Sequence, residues 1–265
     1  RAGVAVCPLF SFSITYTMTA SLPTPYTPAT DLLKDRVILV TGASGGLGSA
    51  TALACAQHGA TVVLLGRNVA KLEGVYDAIE KIGGATPAIY PMNLAGATWA
   101  DYSELAGIIE RQTGRLDGIV HCAAHFKSFT PVQDIEPRDW VESLQVPLTA
   151  AYSLTRHCLP LLRASNDASV VFVSDAAGRT PHAFNGVYGI AKAALETMAT
   201  MWAHELESIS NVRINTYNPG PLRTAHRVKG YPGDLFDNAA PVESAIPALL
   251  WLLGPDSVGV SGRQI

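Results

Sequence analysis

A tyrosine and a lysine four positions apart could carry out acid–base chemistry, although this spacing is common by chance and is a weak signal by itself. Tyr188 and Lys192 stand in the run Tyr-Gly-Ile-Ala-Lys. Apolar residues recur around them at helical intervals, so the spacing brings the phenol and the ammonium onto one face of a predicted helix. A nearby ammonium stabilises a tyrosinate and lowers the pKa of the phenol from about 10. The pair could therefore give or take a proton near neutral pH.

A glycine-rich turn far upstream predicts an anion-binding site. Residues 37–40 are apolar, as in a strand buried on both faces, and residues 41–48 read Thr-Gly-Ala-Ser-Gly-Gly-Leu-Gly before a helical pattern. A strand, a turn and a helix N-terminus point free N–H groups and the positive end of the helix dipole at one place. Gly42 allows the tight turn, Gly46 lets the backbone approach a pyrophosphate, and Gly48 lets helix and strand pack closely. The alternative is a glycine-rich loop with no ligand.

Together the two motifs resemble the TGxxxGxG loop and the Tyr-x-x-x-Lys pair of the short-chain dehydrogenase/reductase family. Within that family the chain looks like the bacterial YciK-like branch, from about Leu33 to the last residue. The resemblance implies a doubly wound (Rossmann) α/β sandwich of three layers, with a parallel sheet of about seven strands. It also implies a nicotinamide cofactor, a proton exchanged by Tyr188, and a ribose held by Lys192.

Further cofactor contacts are implied at the ends of other predicted strands. Asn93 and Leu94 match the positions that touch the adenine, and Leu222 and Thr224 match contacts to the nicotinamide carboxamide. The cofactor-binding positions carried over are Gly42, Ser44, Gly46, Leu47, Gly48, Asn93, Leu94, Cys122, Tyr188, Lys192, Pro219, Gly220, Leu222 and Thr224.

The second predicted strand ends in Gly66-Arg67-Asn68, where a site specific for NAD usually has a carboxylate for the adenosine ribose. Arg67 instead offers a permanently charged planar fork that suits a 2′-phosphate. The sequence therefore favours NADP(H) over NAD(H). The alternative is a surface arginine that opens the next helix.

The largest departure from the family falls at the predicted reaction centre. The family has a serine thirteen positions before the tyrosine, where it polarises the substrate carbonyl, and here that position is Asp175. Ser174 is expected to face away, because side chains alternate along a strand. An ionised Asp175 would only accept hydrogen bonds and would raise the pKa of Tyr188, whereas a protonated one could donate.

Smaller departures lie at Pro147 and Cys122. Pro147 stands where the family has an asparagine that kinks a helix and holds a relay water; proline predicts the kink but has no amide side chain. Cys122 replaces the asparagine of an Asn-Ala-Gly motif, and its alternative interpretation is a buried thiol. His121 and His125, four apart with no third ligand, are interpreted as core or rim residues rather than a metal site.

Length and composition bound the rest. The chain of 265 residues is 48% hydrophobic and 15% charged, which suits one α/β domain over residues 31–265. Residues 1–30, rich in Pro and Thr near their end, are expected to form a disordered or non-native tail. Residues 262–265 look like the first part of a final strand, so the domain of the family is expected to continue beyond them.

Charge and cysteine usage exclude several classes of partner. A net charge of −3 without a Lys/Arg cluster argues against nucleic acid, and no apolar run reaches the roughly 18 residues needed to span a membrane. The four cysteines lack metal-ligand spacing, so reduced thiols in a cytoplasmic protein and no bound metal are expected. Helices predicted over 148–162 and 187–208 carry more apolar surface than one sheet face covers, which favours a homodimer or homotetramer.

The function predicted is NADP(H)-dependent interconversion of a carbonyl and an alcohol, with Tyr188, Lys192 and Asp175 at the reaction centre and a reduced efficiency. Residues 225–240 are expected to form a mobile lid over the small-molecule substrate. Other positions expected to face the substrate are Phe126, Phe129, His182 and Phe184, and their aromatic character suggests an apolar substrate. The alternative is a catalytically weak or inactive dinucleotide-binding protein that acts as a redox sensor or partner subunit.

Overall fold

A computed structural model describes residues 25–233 and 238–265. Most of the predicted tail and Cys7 lie outside those residues, so the tail stays a prediction. Within them, the Tyr26 hydroxyl donates to Asp256 Oδ2 at 2.8 Å, and residues from Leu32 onward belong to the core.

The centre of the molecule is one parallel sheet, as predicted. Its strands are β1 (Val37–Thr41), β2 (Thr61–Gly66), β3 (Ala88–Pro91), β4 (Gly118–His121), β5 (Ala168–Val173) and β6 (Val212–Tyr217). They lie in the order β3-β2-β1-β4-β5-β6, and each neighbouring pair is parallel. The chain reverses direction across the sheet between β1 and β4, and in such sheets the crevice at that point is where ligands bind.

Helices cover both faces of the sheet. They are α1 (Gly46–Gln57), α2 (Val69–Lys81), α3 (Trp99–Thr113), α4 (Pro137–Leu144), α5 (Ala150–Ala164), α6 (Ala176–Arg179), α7 (Gly186–Leu206), α8 (Ala225–Gly230) and α9 (Ile246–Leu253). One core lies between the sheet and α3, α5 and α7, and the other lies under α1, α2 and α9. The predicted three-layer, doubly wound α/β fold is therefore confirmed.

The strand count needs a correction, because the sheet has six strands and not about seven. The segment predicted to begin a final strand does run beside β6, with its only ladder contact among the described residues a parallel bridge between Thr216 and Gln264. The amide of Ile265 donates to the Thr216 carbonyl at 3.0 Å. One bridge is too short to form a further strand.

The predicted break at Pro147 is present as a turn of π-helix over Gln145–Thr149, between α4 and α5. Proline has no N–H and its ring clashes with the preceding turn, so a regular α-helical bond is lost there. The wider turn accommodates this loss, and Pro147 itself is buried.

The amino ends of the strands are held by a charged network around Asp167. Arg36 Nη2 donates to its Oδ2 at 2.7 Å and Arg213 Nε to its Oδ1 at 2.9 Å. Arg213 is buried, and its remaining N–H groups donate to the carbonyls of Leu252 and Gly254 at 2.9 and 3.1 Å. Each of the three charged groups in this network thus has a partner.

Candidate active site

The glycine turn after β1 has a backbone that larger residues could not adopt. Gly42 has a φ of +66°, and a Cβ there would come within 3.0 Å of the Ala123 backbone at the end of β4. A Cβ on Gly48 would lie 2.2 Å from the Gly42 carbonyl oxygen. These contacts explain two of the glycines, and they agree with the roles predicted for the tight turn and for close packing of helix and strand.

The N-terminus of α1 fits a phosphate group. The helix begins at Gly46, its N-cap Gly45 makes no side-chain hydrogen bond, and its first turn has no acidic residue. A Cβ on Gly46 would come 3.3 Å from Thr224 Cγ2, so this glycine keeps the space between the turn and the segment after β6. Free N–H groups, a helix dipole and backbone left bare by glycine suit the pyrophosphate of a dinucleotide.

Tyr188 and Lys192 lie on the first turns of α7 and meet the end of β5. The Tyr188 hydroxyl donates to Asp175 Oδ2 at 3.2 Å. The Lys192 ammonium donates to the Val173 carbonyl at 2.7 Å and is 5.7 Å from the centre of the Tyr188 ring. The predicted trio of Tyr188, Lys192 and Asp175 therefore comes together at one point.

The pKa of Tyr188 shifts in the direction expected from Asp175 and not in the direction expected from Lys192. Burial raises the pKa of the phenol, and the charge of Asp175 and its hydrogen bond raise it further. Lys192 does not offset this, because its ammonium is turned to the Val173 carbonyl and burial lowers its own pKa to about 8. Tyr188 is thus held as a proton donor rather than as a tyrosinate.

Both oxygens of Asp175 act as acceptors. Besides the Tyr188 bond, Oδ1 accepts the Ala177 N–H at 2.8 Å and caps the short helix α6. Ser174 does not turn wholly away as expected: it is buried and borders the same cleft. Its hydroxyl has no hydrogen-bond partner within the part of the chain that the structure describes.

The neighbouring cysteine and histidines are mostly packing residues. Cys122 borders the cleft, and burial raises the pKa of its thiol to about 12. His121 is buried, lies 2.9 Å from Thr155 Oγ1 and stacks on Phe172, and burial lowers its pKa to about 3. Its interpretation as a core histidine is confirmed. His125 Nδ1 lies 3.7 Å from a Glu142 carboxylate oxygen.

A cleft of about 390 Å³ lies at the carboxyl ends of the strands, next to this trio. It gathers most of the predicted site: Gly42, Gly46, Leu47, Gly48, Cys122, Asp175, Tyr188, Lys192, Pro219, Gly220, Leu222 and Thr224. Residues from five separate segments thus converge where the fold predicts a ligand.

Four predicted cofactor positions lie outside the lining of this cleft. Ser44 and Arg67 lie at the ends of β1 and β2, and the charge of Arg67 is close enough to lower the pKa of His226 at the cleft. Asn93 Oδ1 accepts the Ala95 N–H at 3.3 Å, and Leu94 is a buried core residue. They extend from the cleft along the sheet, toward β3.

The aromatic lining is only partly as predicted. Phe126 and Phe129 border the cleft, but His182 and Phe184 do not, and Phe184 is 56% exposed. The sequence did not single out Tyr231, whose ring packs edge-on against Phe129 at 5.0 Å. Its segment was predicted as a mobile lid over 225–240, of which 234–237 lie outside the described residues.

A second cavity of about 230 Å³ adjoins the first and shares Phe126 and Tyr188 with it. Asp134, Glu136 and Asp139 border it, and Asp139 is paired with Lys127. Across residues 25–233 and 238–265, no cluster of three or more potential ligands could hold a metal ion. The same residues contain no helix that is both long and apolar enough to span a bilayer.

Comparison with known proteins gives a consistent result. The sequence pattern of the short chain dehydrogenase family matches residues 36–232. The oxidoreductase YciK of Escherichia coli strain K12 is 38% identical over 232 residues, which cover 88% of this chain and 91% of that protein.

Solved structures share the fold closely. A structure described as a short chain dehydrogenase from Pseudomonas syringae is 44% identical, with a TM-score of 0.88, and the match covers 90% of this chain and 97% of that one. Another, from Escherichia coli CFT073 and complexed with NADPH, is 38% identical with a TM-score of 0.87, covering 90% of this chain and 98% of that one.

Proposed function

Because the chain belongs to the short-chain dehydrogenase family of oxidoreductases, we propose that it interconverts a carbonyl and an alcohol with NADP(H), and does so with low efficiency. The observation that carries the proposal is the hydrogen-bonded trio of Tyr188, Asp175 and Lys192 beside a cleft bordered by the glycine turn. A half-buried acid next to a dinucleotide cradle is the arrangement that this chemistry needs.

The cofactor would be held along the whole carboxyl edge of the sheet. The N–H groups at the start of α1 would bind the pyrophosphate, Arg67 the 2′-phosphate, and Lys192 the nicotinamide ribose. The segment 219–224 borders the same cleft and would contact the carboxamide. When bound, NADP(H) supplies or accepts the hydride. The NADPH complex of the similar protein from Escherichia coli CFT073 supports NADP(H) as the cofactor.

Tyr188 would move the proton. Its raised pKa keeps the hydroxyl protonated at neutral pH, so it can donate to the oxygen of a carbonyl that is being reduced. Lys192 is charged below about pH 8 and would stabilise the tyrosinate that remains.

Asp175 works against that proton transfer. It holds the Tyr188 proton in its own hydrogen bond, and a carboxylate repels the lone pairs of a carbonyl oxygen. Because these effects oppose carbonyl reduction, we expect a slow enzyme.

A second candidate function follows from the same residue. With Asp175 at the reaction centre and Pro147 in place of an amide, the protein could bind the dinucleotide with little turnover, as a redox sensor or a partner subunit. An intact cradle beside an altered reaction centre supports this alternative. Turnover separates the two functions, whereas cofactor binding alone does not.

The decisive experiment incubates the protein with NADPH and a panel of ketones and aldehydes and follows the loss of NADPH absorbance. Tyr188→Phe should lower the rate by about 10²–10⁴-fold, the usual contribution of a positioned acid. Tyr76→Phe, a tyrosine on α2 away from the cleft, is the matched control and should keep the rate. Equal rates in the three proteins would remove Tyr188 from the mechanism.

We further propose that the protein is a cytoplasmic homo-oligomer. The three described cysteines are free thiols, which suits a reducing compartment. Trp99 and Met201 are more than half exposed, and Trp99 packs edge-on against Tyr152 of α5 at 5.9 Å. An apolar face across α5 and α7 fits a second copy of the chain. Light scattering at micromolar concentration should give a dimer or tetramer, and a monomer mass would contradict this part of the proposal.

A further inference from the structure

The carboxylate of Asp175 lies beside the Tyr188 hydroxyl, which the reacting group of the substrate must approach. Its two oxygens accept hydrogen bonds from the Tyr188 hydroxyl at 3.2 Å and from the Ala177 N–H at 2.8 Å. Among the described residues that border the cleft, Asp175 is the one carboxylate. A carbonyl oxygen has only lone pairs to offer such a group, so the two repel each other.

We propose that the cleft prefers a substrate with a protonated C=N bond, an iminium, and that Asp175 pairs with its nitrogen. The inference differs from the proposed function in the reacting group of the substrate, and it rests on that function for the cofactor. A protonated imine donates an N–H where a carbonyl cannot, and the pair would be a charge-assisted hydrogen bond.

The chemistry balances as a two-electron reduction. The imine nitrogen takes one proton from solvent, which forms the N–H bond and gives the iminium, and the iminium carbon then accepts one hydride from NADPH. The C=N π bond breaks as the C–H bond forms, and the products are an amine and NADP⁺. Protonation makes the imine carbon more electrophilic, and Asp175 stabilises that protonated form.

The walls of the cleft suit a flat organic cation. Phe126 lies edge-on to Phe129 with ring centres 5.2 Å apart, and also to Tyr188 at 5.5 Å. Tyr231 continues this cluster at 5.0 Å from Phe129. The faces of aromatic rings attract cations, and more strongly when water is excluded. A Cβ on Gly230 would come within 3.2 Å of Phe129, so the cluster is closely covered by α8.

The positive groups of the cleft are already engaged. The Lys192 ammonium donates to the Val173 carbonyl at 2.7 Å, and the Arg227 guanidinium stacks on the Tyr231 ring at 3.8 Å. His226 is held toward its neutral form, because burial and nearby cations lower its pKa. A cationic substrate would therefore interact with the carboxylate of Asp175 more directly than with these positive groups.

The test measures binding without turnover. Calorimetry would compare 2-phenylpyrrolidine with 2-phenylcyclopentanol, an amine and an alcohol of similar shape that are both already reduced, on the protein with and without NADPH at pH 7. The amine should bind at least about tenfold more tightly, the scale of one charge-assisted hydrogen bond. Equal binding, or tighter binding of the alcohol, would overturn the inference.

Variants of Asp175 test whether the preference for the amine over the alcohol depends on this carboxylate. Asp175→Asn keeps a side-chain oxygen for the cap of α6 and should weaken amine binding about tenfold while sparing the alcohol. Asp175→Ser should do the same, which covers the case in which one variant folds poorly. Asp139→Asn removes a carboxylate from the adjoining cavity and should change neither affinity. A loss shared by amine and alcohol, or a loss of the preference in Asp139→Asn, would contradict the assignment to Asp175.

Failure of the proposed function is a separate result. It would appear as no binding of NADPH or no turnover of any ketone or imine. The ratio of amine affinity to alcohol affinity tests the present inference by itself. It can be measured in the cofactor-free protein if NADPH does not bind. A comparison of 2-phenyl-1-pyrroline with 2-phenylcyclopentanone as substrates should then show faster oxidation of NADPH by the imine.

Discussion

Strand β5 has an aspartate just beyond each of its ends, and the two carboxylates have very different surroundings. Asp167, before the strand, lies between Arg36 and Arg213. Burial alone would raise the pKa of Asp167, but hydrogen bonds from both arginines lower it overall. Asp175, after the strand, accepts from a phenol and one backbone N–H instead.

This difference distinguishes residues that stabilise the fold from residues that could take part in a reaction. At the amino end of the sheet every charge described above has an opposite charge or several carbonyl partners, so the network fixes the ends of strands and leaves nothing to react. At the carboxyl end a carboxylate, a phenol and a buried ammonium face an open cleft without full compensation. The shifted pKa values of Tyr188 and Lys192 are of the kind that is characteristic of functional sites. Substitutions at the two ends should therefore change different properties.

The largest effect is expected at the amino end. Arg213→Met keeps an apolar stem but leaves Asp167 with one arginine and frees several carbonyls, so the free energy of unfolding should fall by about 3 kcal/mol. Urea unfolding would measure it. The matched control is Arg138→Met, because Arg138 is exposed and pairs with Glu142 on the surface; its effect should stay within about 0.5 kcal/mol. Similar losses in both variants would mean that the network adds no particular stability.

At the carboxyl end, Arg67→Ala should change cofactor choice and not stability. Loss of a charged hydrogen bond to the 2′-phosphate should weaken NADPH binding by about 1.5–3 kcal/mol. NADH has no such phosphate and should bind almost unchanged. Titration of both cofactors by fluorescence or calorimetry would measure this, with Arg138→Ala as the control. An equal loss for NADPH and NADH would show that Arg67 does not read the phosphate.

Asp175→Ser is expected to raise the rate of ketone reduction, and this effect is smaller than the two above. A serine hydroxyl can donate to a carbonyl, and removal of the carboxylate takes away one of the groups that raise the pKa of Tyr188. The rate of ketone reduction at pH 7 should rise by about tenfold, the factor that corresponds to one neutral hydrogen bond. A fast unmodified enzyme that Asp175→Ser slows would mean that the carboxylate assists carbonyl reduction.

Local patterns were enough to predict the glycine turn between β1 and α1 and the common helix face of Tyr188 and Lys192. The strand, glycine turn and helix around Gly42 are adjacent in sequence, and the four-residue spacing of Tyr188 and Lys192 fixes their common face. The kink at Pro147 also follows from one residue, although its form as a π-helix does not. These features depend on few contacts outside their own segments.

Features set by tertiary contacts were missed or predicted wrongly. The Lys192 ammonium donates to a carbonyl of β5, which its helical spacing from Tyr188 does not predict. Burial of Tyr188, the main cause of its raised pKa, is likewise set by tertiary packing. Tyr231 reaches the cleft only because α8 folds back over Phe129. The exposed position of Phe184, at a φ of +71°, likewise follows from the loop before α7 and not from residue type.

The smallest expected effect concerns the alkaline limb of the pH–rate profile. Burial lowers the pKa of Lys192 to about 8, while the charges of Asp175, Cys122 and Glu196 raise it again in part. In the proposed mechanism the ammonium is the form that stabilises the tyrosinate left after Tyr188 donates its proton. Reduction should therefore slow as the pH rises through about 8, where this ammonium loses its charge.

Two substitutions identify the group that titrates. Asp175→Ser should move the limb to lower pH, but it would also lower the pKa of Tyr188, so by itself it does not distinguish the two residues. Glu196 raises the pKa of Lys192 and is not one of the groups that act on Tyr188. Glu196→Gln should thus move the limb down by less than Asp175→Ser does, in rates measured from pH 6 to 10. If the alkaline limb stays in place in Glu196→Gln but moves in Asp175→Ser, the group that titrates is Tyr188. Loss of the Tyr188 proton, and not of the Lys192 proton, would then limit the rate at high pH.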